Sequence, residues 1–287
     1  MTDNHSAFFF FNGEKIDKFS LPASKLLYSF YYGGSFFETI RIQNGLAPLL
    51  KFHLLRIKKA IDVFSFENFS VSDFELHLAQ ILKILQNQGV NNARLRVQFF
   101  PIEKAEFGKN YNFFSEVKVL PDNYFKSYFE YDSVAFYNQC VIYPDKYSAF
   151  KSSNYYRFLQ AGAYAKSQNE LVLIKNSSEE WVESQKGNLF FSLKGKWYTP
   201  DISAGCIDGV LRNFILNNQK ELGIEVSFKS LTSKDLMLID SLMVTNAFRG
   251  VMTVITDKSE TIKLADSRKA SELQQQIENL ISLDAIS

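Results

Sequence analysis

Lys151 stands between Phe150 and the pair Tyr155-Tyr156, where a strand is expected to end and a helix to begin. Burying an amine among apolar side chains disfavours its charged form, and a neutral lysine is a nucleophile able to form a Schiff base. An arbitrary lysine at a helix start is an ordinary surface residue, so Lys151 counts only with its neighbours along the chain. Those are Glu183 and Asn188 in ESQKGNLFF, Thr199-Pro200, and Ile207, Gly209, Val210 and Arg212 in GCIDGVLRN, at a second expected helix start. Histidine and cysteine are scarce: His5, His53, His77, Cys140 and Cys206. That scarcity argues against a His-rich metal centre, a zinc ribbon and a disulfide framework, and no metal site is expected. Chemistry would then fall to Lys, Arg, Glu, Thr or Tyr with an organic cofactor.

The 287 residues carry 32 Lys+Arg against 31 Asp+Glu, a net charge of +1, so no long-range field draws the chain to nucleic acid or an acidic membrane. With 46% hydrophobic and 22% charged residues, the chain is expected to be globular rather than disordered. The start, MTDNHSAFFFFNGEKID, has no basic region and no small-residue cleavage site. Apolar stretches such as LMLIDSLMV are broken by Asp240 and fall short of the roughly 20 residues a bilayer span needs. A soluble, cytoplasmic protein is expected.

Two α+β domains are expected to position these residues. Residues 7–12 and Thr39 to Ile42 read as strands, and Asn44-Gly45 is a hairpin signal. Leu54, Ile57 and Ile61 recur at helical spacing. Ser72-Asp73-Phe74-Glu75 reads as a capping box ahead of Phe74, Leu78, Ile81, Leu82 and Leu85. Ala93, Leu95, Val97 and Phe99 alternate with polar residues as a half-buried strand. The first domain is expected over 1–119, a linker over 120–132, and a C-terminal cofactor-binding α/β domain over 133–287. Within the latter, helices are expected after Lys151, from about Gly209 to a C-cap at Gly223, and after Ser267. Strands are expected at 133–136, 171–174, 188–193, 197–199 and 242–245.

The run Lys151…Glu183…Asn188-Leu189-Phe190…Thr199-Pro200…Ile207-Asp208-Gly209-Val210-Leu211-Arg212 resembles the class IV aminotransferase family, the fold-type IV pyridoxal-phosphate enzymes. The N-terminal half is similar too, through Gly34-Ser35-Phe36-Phe37-Glu38-Thr39, Asn44-Gly45 and His53-Leu54-Leu55-Arg56. The blocks keep the family's order from about residue 8 to residue 255. The resemblance implies a two-domain α+β fold like that of D-amino-acid aminotransferases, a homodimer, a small-molecule amine substrate and pyridoxal 5′-phosphate in the cleft between the halves. Lys151 would hold the cofactor and serve as the base; Lys146, farther from Glu183, fits the family spacing less well. Glu183 would pair with the pyridine nitrogen, Arg56 would clamp the phosphate, and Val210 and Leu211 would offer backbone N–H groups at a helix start. Ile207 would pack on the ring, and Asn188 would order its side of the pocket.

Within the family, Thr245-Asn246-Ala247-Phe248-Arg249-Gly250 is similar to the branch of aminodeoxychorismate lyase, which releases pyruvate and p-aminobenzoate in folate biosynthesis. Asn154, three residues after Lys151, suits that branch as well. Thr245, Asn246 and Ala247 would border the phosphate, and Arg249 and Phe37 would face the substrate. Several departures stand out, among them Thr253 where the family has Pro, Gln185 where a small residue is usual, and RVQFFPIEK in place of a Thr/Ser-Arg-Gly turn. Phe99-Phe100-Pro101 thus removes an arginine that elsewhere holds a carboxylate, and Phe37 lacks the hydroxyl of the D-amino-acid branch. Lyase activity is the expectation, with D-amino-acid or branched-chain aminotransferase as the alternative and a non-catalytic binding protein as the remote one.

Overall fold

Alternating burial along Ala93, Leu95, Val97 and Phe99 turns one face of a strand inward, and the first sheet is built around it. The computed structural model describes residues 7–17, 20, 23–102, 111–126, 129–254 and 268–284. The chain divides into two compact units, Met1–Ser127 with Phe150–Asn154 and Ala285–Ser287, and Tyr128–Ala149 with Tyr155–Asp284.

The first unit contains β1 (Ala7–Phe11), β2 (Glu14–Ile16), α1 (Ala23–Tyr32), β3 (Phe36–Ile42), α2 (Leu50–Val63), α3 (Val71–Asn87), β4 (Ala93–Pro101) and β5 (Tyr111–Val119). Its sheet runs β2-β1-β5-β4-β3, antiparallel throughout. Aromatic rings fill the core: Phe36 stacks on Phe99 at 4.8 Å, and Phe66 on Tyr111 at 5.7 Å. Asn44 and Gly45 both have positive φ, as the sequence predicts for a tight turn, but they close a single bridge, Gln43 to Leu46, before the chain enters α2. Helix α3 starts two residues earlier than the expected capping box. Ser70, not Ser72, is the N-cap; its hydroxyl accepts from Asp73 N at 3.1 Å, leaving the Asp73 carboxylate in the first turn, where the helix dipole favours it.

Residues 150–154 group with the first unit, not with the C-terminal half, because they pair with the start of β3. Phe37 N donates to Lys151 O (2.8 Å), Ser153 N donates to Ser35 O (2.7 Å), and Phe36 and Ser152 form a bridge.

The second unit contains β6 (Phe129–Tyr131), β7 (Ser133–Ile142), α4 (Tyr156–Tyr164), β8 (Glu170–Asn176), β9 (Trp181–Ser184), β10 (Asn188–Leu193), β11 (Lys196–Thr199), α5 (Val210–Asn217), β12 (Val226–Phe228), β13 (Ile239–Asn246), β14 (Gly250–Val254) and α6 (Arg268–Asp284). Its sheet runs β6-β14-β13-β10-β9-β8-β7, with β11 and β12 attached through β10. Strand β6 lies in the stretch expected to be linker: three residues are too few for a period to show, and they pair parallel to β14. Residues 127–128 of that stretch lie outside the described residues. Helix α5 ends at Asn217, well before Gly223. The Asn217 and Asn218 amides donate to Asn213 O and Phe214 O, both at 2.7 Å, and asparagine is a weak helix former. Among the described residues, no helix is long and apolar enough to cross a membrane.

His77 of α3 is buried against Phe10, Phe74 and Phe113, with Nε2 3.0 Å from Ser115 Oγ. Burial lowers its pKa from 6.5 to about 4. The unfolded chain therefore takes up this proton first, and the folded state loses stability as pH falls from 6.5 towards 4, by at most about 3 kcal/mol from this group. Urea melts of the parent protein and of His77→Leu across that window are expected to show a shallower pH slope for the variant. Equal slopes would remove His77 from the acid response.

Candidate active site

The hydrogen-bond registers of β9, β10, β13 and β14 set Glu183 opposite Asn188, Asn188 opposite Thr245, and Thr245 opposite Val251. Directly paired residues project from the same side of a sheet, so the four form a row across one face. Leu189, Phe191, Leu242 and Val244, one residue out of phase, pack in a core cluster on the other face. Glu183, Asn188 and Thr245 are all buried.

Burying Glu183 requires donors for its carboxylate. Asn188 Nδ2 donates to Glu183 Oε2 at 3.0 Å and to Ile207 O at 2.7 Å, and Ile207 N donates to the same Glu183 oxygen at 2.9 Å. One amide side chain thus ties the acid to the loop that leads into α5. The close approach demands glycine twice: a Cβ on Gly209 would overlap Asn188 Oδ1, and a Cβ on Gly187 would overlap Thr245 O. Gly209 is the N-cap of α5 with no side-chain cap, and Val210 and Leu211, both buried, follow in the first turn, where the helix supplies no acceptor for N–H groups. Among the described residues, nothing hydrogen-bonds the buried Thr245 Oγ1. Cys206 adds no reactive thiol: burial and then the Glu183 charge push it up to about 12.

Asn246, expected at the phosphate, builds its own turn. Its Oδ1 accepts from Phe248 N (3.0 Å) and Arg249 N (2.7 Å), and its Nδ2 donates to Lys186 O (2.8 Å). Ala247 lies half-buried in that turn, and the Arg249 guanidinium lies 4.3 Å from the Phe129 ring centroid.

The other candidates belong to the first unit. Lys151 is half-buried, with Nζ 5.0 Å from the centroid of the buried Phe37 ring. Arg96 lies over the same ring at 3.8 Å and donates to Gln98 Oε1 at 3.2 Å, while Gln98 donates to Ser35 Oγ (2.9 Å) and Ser153 Oγ (3.1 Å). Ser35 and Ser153 are themselves hydrogen-bonded. Arg96 and Gln98 escaped the sequence reading because there they counted only as the polar half of an alternating strand.

Arg56 is buried on α2, where Nε and Nη2 donate to the two oxygens of Glu38, each at 2.7 Å. His53 Nδ1 sits 2.7 Å from Glu38 Oε2, and since a carboxylate only accepts, this nitrogen carries the proton. Burial alone would push the Glu38 carboxyl up; the Arg56 charge and the hydrogen bonds from His53 and Arg56 outweigh it and hold it at about 2. Burial lowers the His53 pKa against the pull of Glu38. The Glu38 role was legible only as a motif letter between Phe37 and Thr39.

The residues fit a flat, anionic, nitrogen-containing cofactor. An orphaned hydroxyl at Thr245, uncommitted N–H positions at the start of α5 and a buried carboxylate at Glu183 all belong to one face of one sheet and its covering helix.

Residues 35–255 match the family model described as amino-transferase class IV. An aminodeoxychorismate lyase of Bacillus subtilis (strain 168) is 24% identical over 285 residues, spanning 94% of each chain. The crystal structure of the Escherichia coli branched-chain amino acid aminotransferase superposes with a TM-score of 0.80 at 20% identity, covering 96% of this chain and 94% of that one. That of 4-amino-4-deoxychorismate lyase from Pseudomonas aeruginosa gives 0.75 at 16% identity, covering 94% and 98%. At those identities the two crystal structures establish the α+β fold that they share with this chain. By the family match along most of its length, the chain belongs to the class IV aminotransferases, a family of pyridoxal-phosphate-dependent enzymes.

Proposed function

We propose that this chain is a pyridoxal-phosphate-dependent 4-amino-4-deoxychorismate lyase that releases pyruvate and p-aminobenzoate for folate biosynthesis. The observation that carries the reading is the wall beside Lys151, where Phe37 lies under the Arg96 guanidinium. A guanidinium held on an apolar ring suits a carboxylate attached to a flat carbon skeleton. The same wall suits a D-amino acid poorly, since Phe37 has no hydroxyl and Phe99-Phe100-Pro101 replace a turn whose arginine elsewhere holds a substrate carboxylate. The likeness to the Bacillus subtilis lyase along nearly the whole chain supports the reading. Branched-chain amino transfer is the second reading, favoured by the fold likeness to the Escherichia coli enzyme.

Lys151 would hold the cofactor, Glu183 its ring nitrogen, and Arg56, Thr245 and the N–H groups of Val210 and Leu211 its phosphate. Ile207 would lie against the ring, with Asn188 fixing Glu183, and Asn246 and Ala247 would shape the turn beside the phosphate. Pyridoxal phosphate, when bound, supplies an electron sink for the carbon that carries the substrate amine. Lys151 Nζ takes the proton from that carbon, the bond from the ring to the enolpyruvyl oxygen breaks, and a proton goes to the departing three-carbon fragment. The atoms of the substrate divide between two products with no co-reactant, and aromatisation favours the forward direction. We further propose a cytoplasmic homodimer; the exposed Phe30, Tyr31 and Tyr32 of α1 support association of two copies.

Protein soaked in pyridoxal phosphate is expected to turn yellow and to bleach with borohydride, and Lys151→Ala to stay colourless. A colourless parent protein would favour a non-catalytic binding role and end the enzyme reading. Glu183→Gln is expected to keep the colour while turnover drops roughly 100-fold, because the neutral amide no longer stabilises a protonated ring nitrogen. Pyruvate and p-aminobenzoate release from aminodeoxychorismate is set against amino transfer from D- and L-amino acids to 2-oxoglutarate; transfer without release overturns the lyase reading.

A further inference from the structure

Phe37 and Gln98 are directly paired in the β3–β4 ladder, and Arg96 is paired with Thr39, so Phe37, Gln98 and Arg96 project from one face of the first sheet. Lys151 Nζ lies 5.0 Å from the Phe37 ring centroid, and the Arg96 guanidinium carbon lies 3.8 Å from the same point. Arg96 Nη2 donates to Gln98 Oε1 at 3.2 Å. A guanidinium only donates, so the amide oxygen is the end that must turn towards Arg96. The amide nitrogen then needs acceptors, and it has two: Ser35 Oγ at 2.9 Å and Ser153 Oγ at 3.1 Å.

The two serines fix the amide in place. Ser35 is fully buried just ahead of β3, and its carbonyl accepts from Ser153 N at 2.7 Å. Ser153 stands two residues after Lys151, whose own carbonyl accepts from Phe37 N. With one side chain, Gln98 therefore touches both the cation at 96 and the segment that carries the lysine, all within the first unit. The amide is also neutral. A glutamate at 98 would hold the guanidinium too, but it would set a negative charge beside it, and an incoming carboxylate would meet a partly cancelled field. A leucine would fill the space and hold nothing.

We propose that Gln98 is a positioning residue for substrate binding: it holds Arg96 over Phe37 without neutralising it, at a fixed place relative to Lys151, and so selects amines whose flat carbon skeleton carries a carboxylate. The role rests on the reading that the wall beside Lys151 receives the substrate.

The test compares 4-aminobenzoate with 4-aminobenzamide as probes of the cofactor-loaded protein by titration calorimetry. The parent is expected to bind the carboxylate about tenfold more tightly than the amide, the size of one charge-assisted hydrogen bond. Arg96→Met and Gln98→Glu are each expected to lose that preference, and Gln98→Leu to keep about threefold, since its guanidinium is present but no longer held. In the Arg96→Met background, neither change at 98 is expected to move the preference further. Thermal melts and a cofactor titration show which variants fold and load. Should Gln98→Leu not fold, Gln98→Glu decides alone, because the serine hydroxyls can turn to donate to a carboxylate. A merely structural Gln98 would weaken both probes together and leave their ratio as in the parent, which overturns the proposal. So does a parent without the preference, or a change at 98 that acts equally with and without Arg96. Pyruvate release from aminodeoxychorismate on the same samples separates the two readings. Release with an unchanged KM in Gln98→Glu defeats the role of Gln98 alone. A preference that Gln98→Glu abolishes through Arg96, in a parent that releases no pyruvate, defeats the lyase reading alone.

Discussion

A carboxylate taken out of water must be given donors, and the Glu183 carboxylate imposes that demand on the middle of the second unit. Its donors include an amide from the neighbouring strand, a backbone N–H from the loop before α5 and, at longer range, Ser184 N. Because Asn188 also holds Ile207 O, the acid, the strand and the loop move as one piece. Two glycines follow from this closeness: Gly209 so that the loop can lie on Asn188, and Gly187 so that the β9–β10 turn can lie on β13. The start of α5 is thereby aimed at the same sheet face. The arrangement costs side-chain freedom at several positions and yields a face where a negative charge, a hydroxyl and helix N–H groups have fixed places before anything binds.

The first unit solves the same problem with full charges. Glu38 is buried on the α2 side of β3, and Arg56 meets it with two parallel hydrogen bonds while neutral His53 adds a third. The next residue back, Phe37, points to the opposite side of the strand, under Arg96 and Lys151. One strand therefore carries a buried ion pair on one face and the apolar neighbour of Lys151 on the other. Lys151 is placed by main chain, through its carbonyl on Phe37 N. Its side chain can accordingly change partners without disturbing its backbone position.

Much of this was legible from spacing, and the illegible parts have identifiable causes. The strand over Ala93–Pro101 and the helix holding Phe74, Leu78, Ile81 and Leu85 declared themselves by period, because each buries one continuous face. Lys151, Glu183 and Asn188 stood out only as separated letters. Nothing along the chain shows that Asn188 bonds Glu183, since that contact depends on the register of β9 against β10. Boundaries failed where short polar side chains compete with the backbone: Ser70 against Ser72 at the start of α3, and the Asn217-Asn218 pair at the end of α5. Arg96 was missed because a charged residue alternating with apolar ones looks like a solvated face until the opposite strand supplies Phe37.

The departures from the family pattern have local explanations that bear on how the site is held. Gln185, where a small residue is usual, uses its side chain as backbone: Oε1 accepts from Val172 N at 2.9 Å and Nε2 donates to Glu170 O at 2.9 Å, while its own N–H bonds Val172 O. It bridges β8 beside the irregular register of β9 and steadies the strand end that carries Glu183. Thr253, where the family has proline, lies in β14 between β13 and β6, and a residue with an N–H suits a strand paired on both edges. Phe99, Phe100 and Pro101 end β4 in the aromatic core, while Glu103 and Lys104 lie outside the described residues. The strand end is thus spent on packing, and Arg96, four residues before Phe100, lies over the ring that also meets Lys151. The guanidinium thus stands over the middle of the first sheet's face rather than at the end of its strand, where Phe99, Phe100 and Pro101 pack instead.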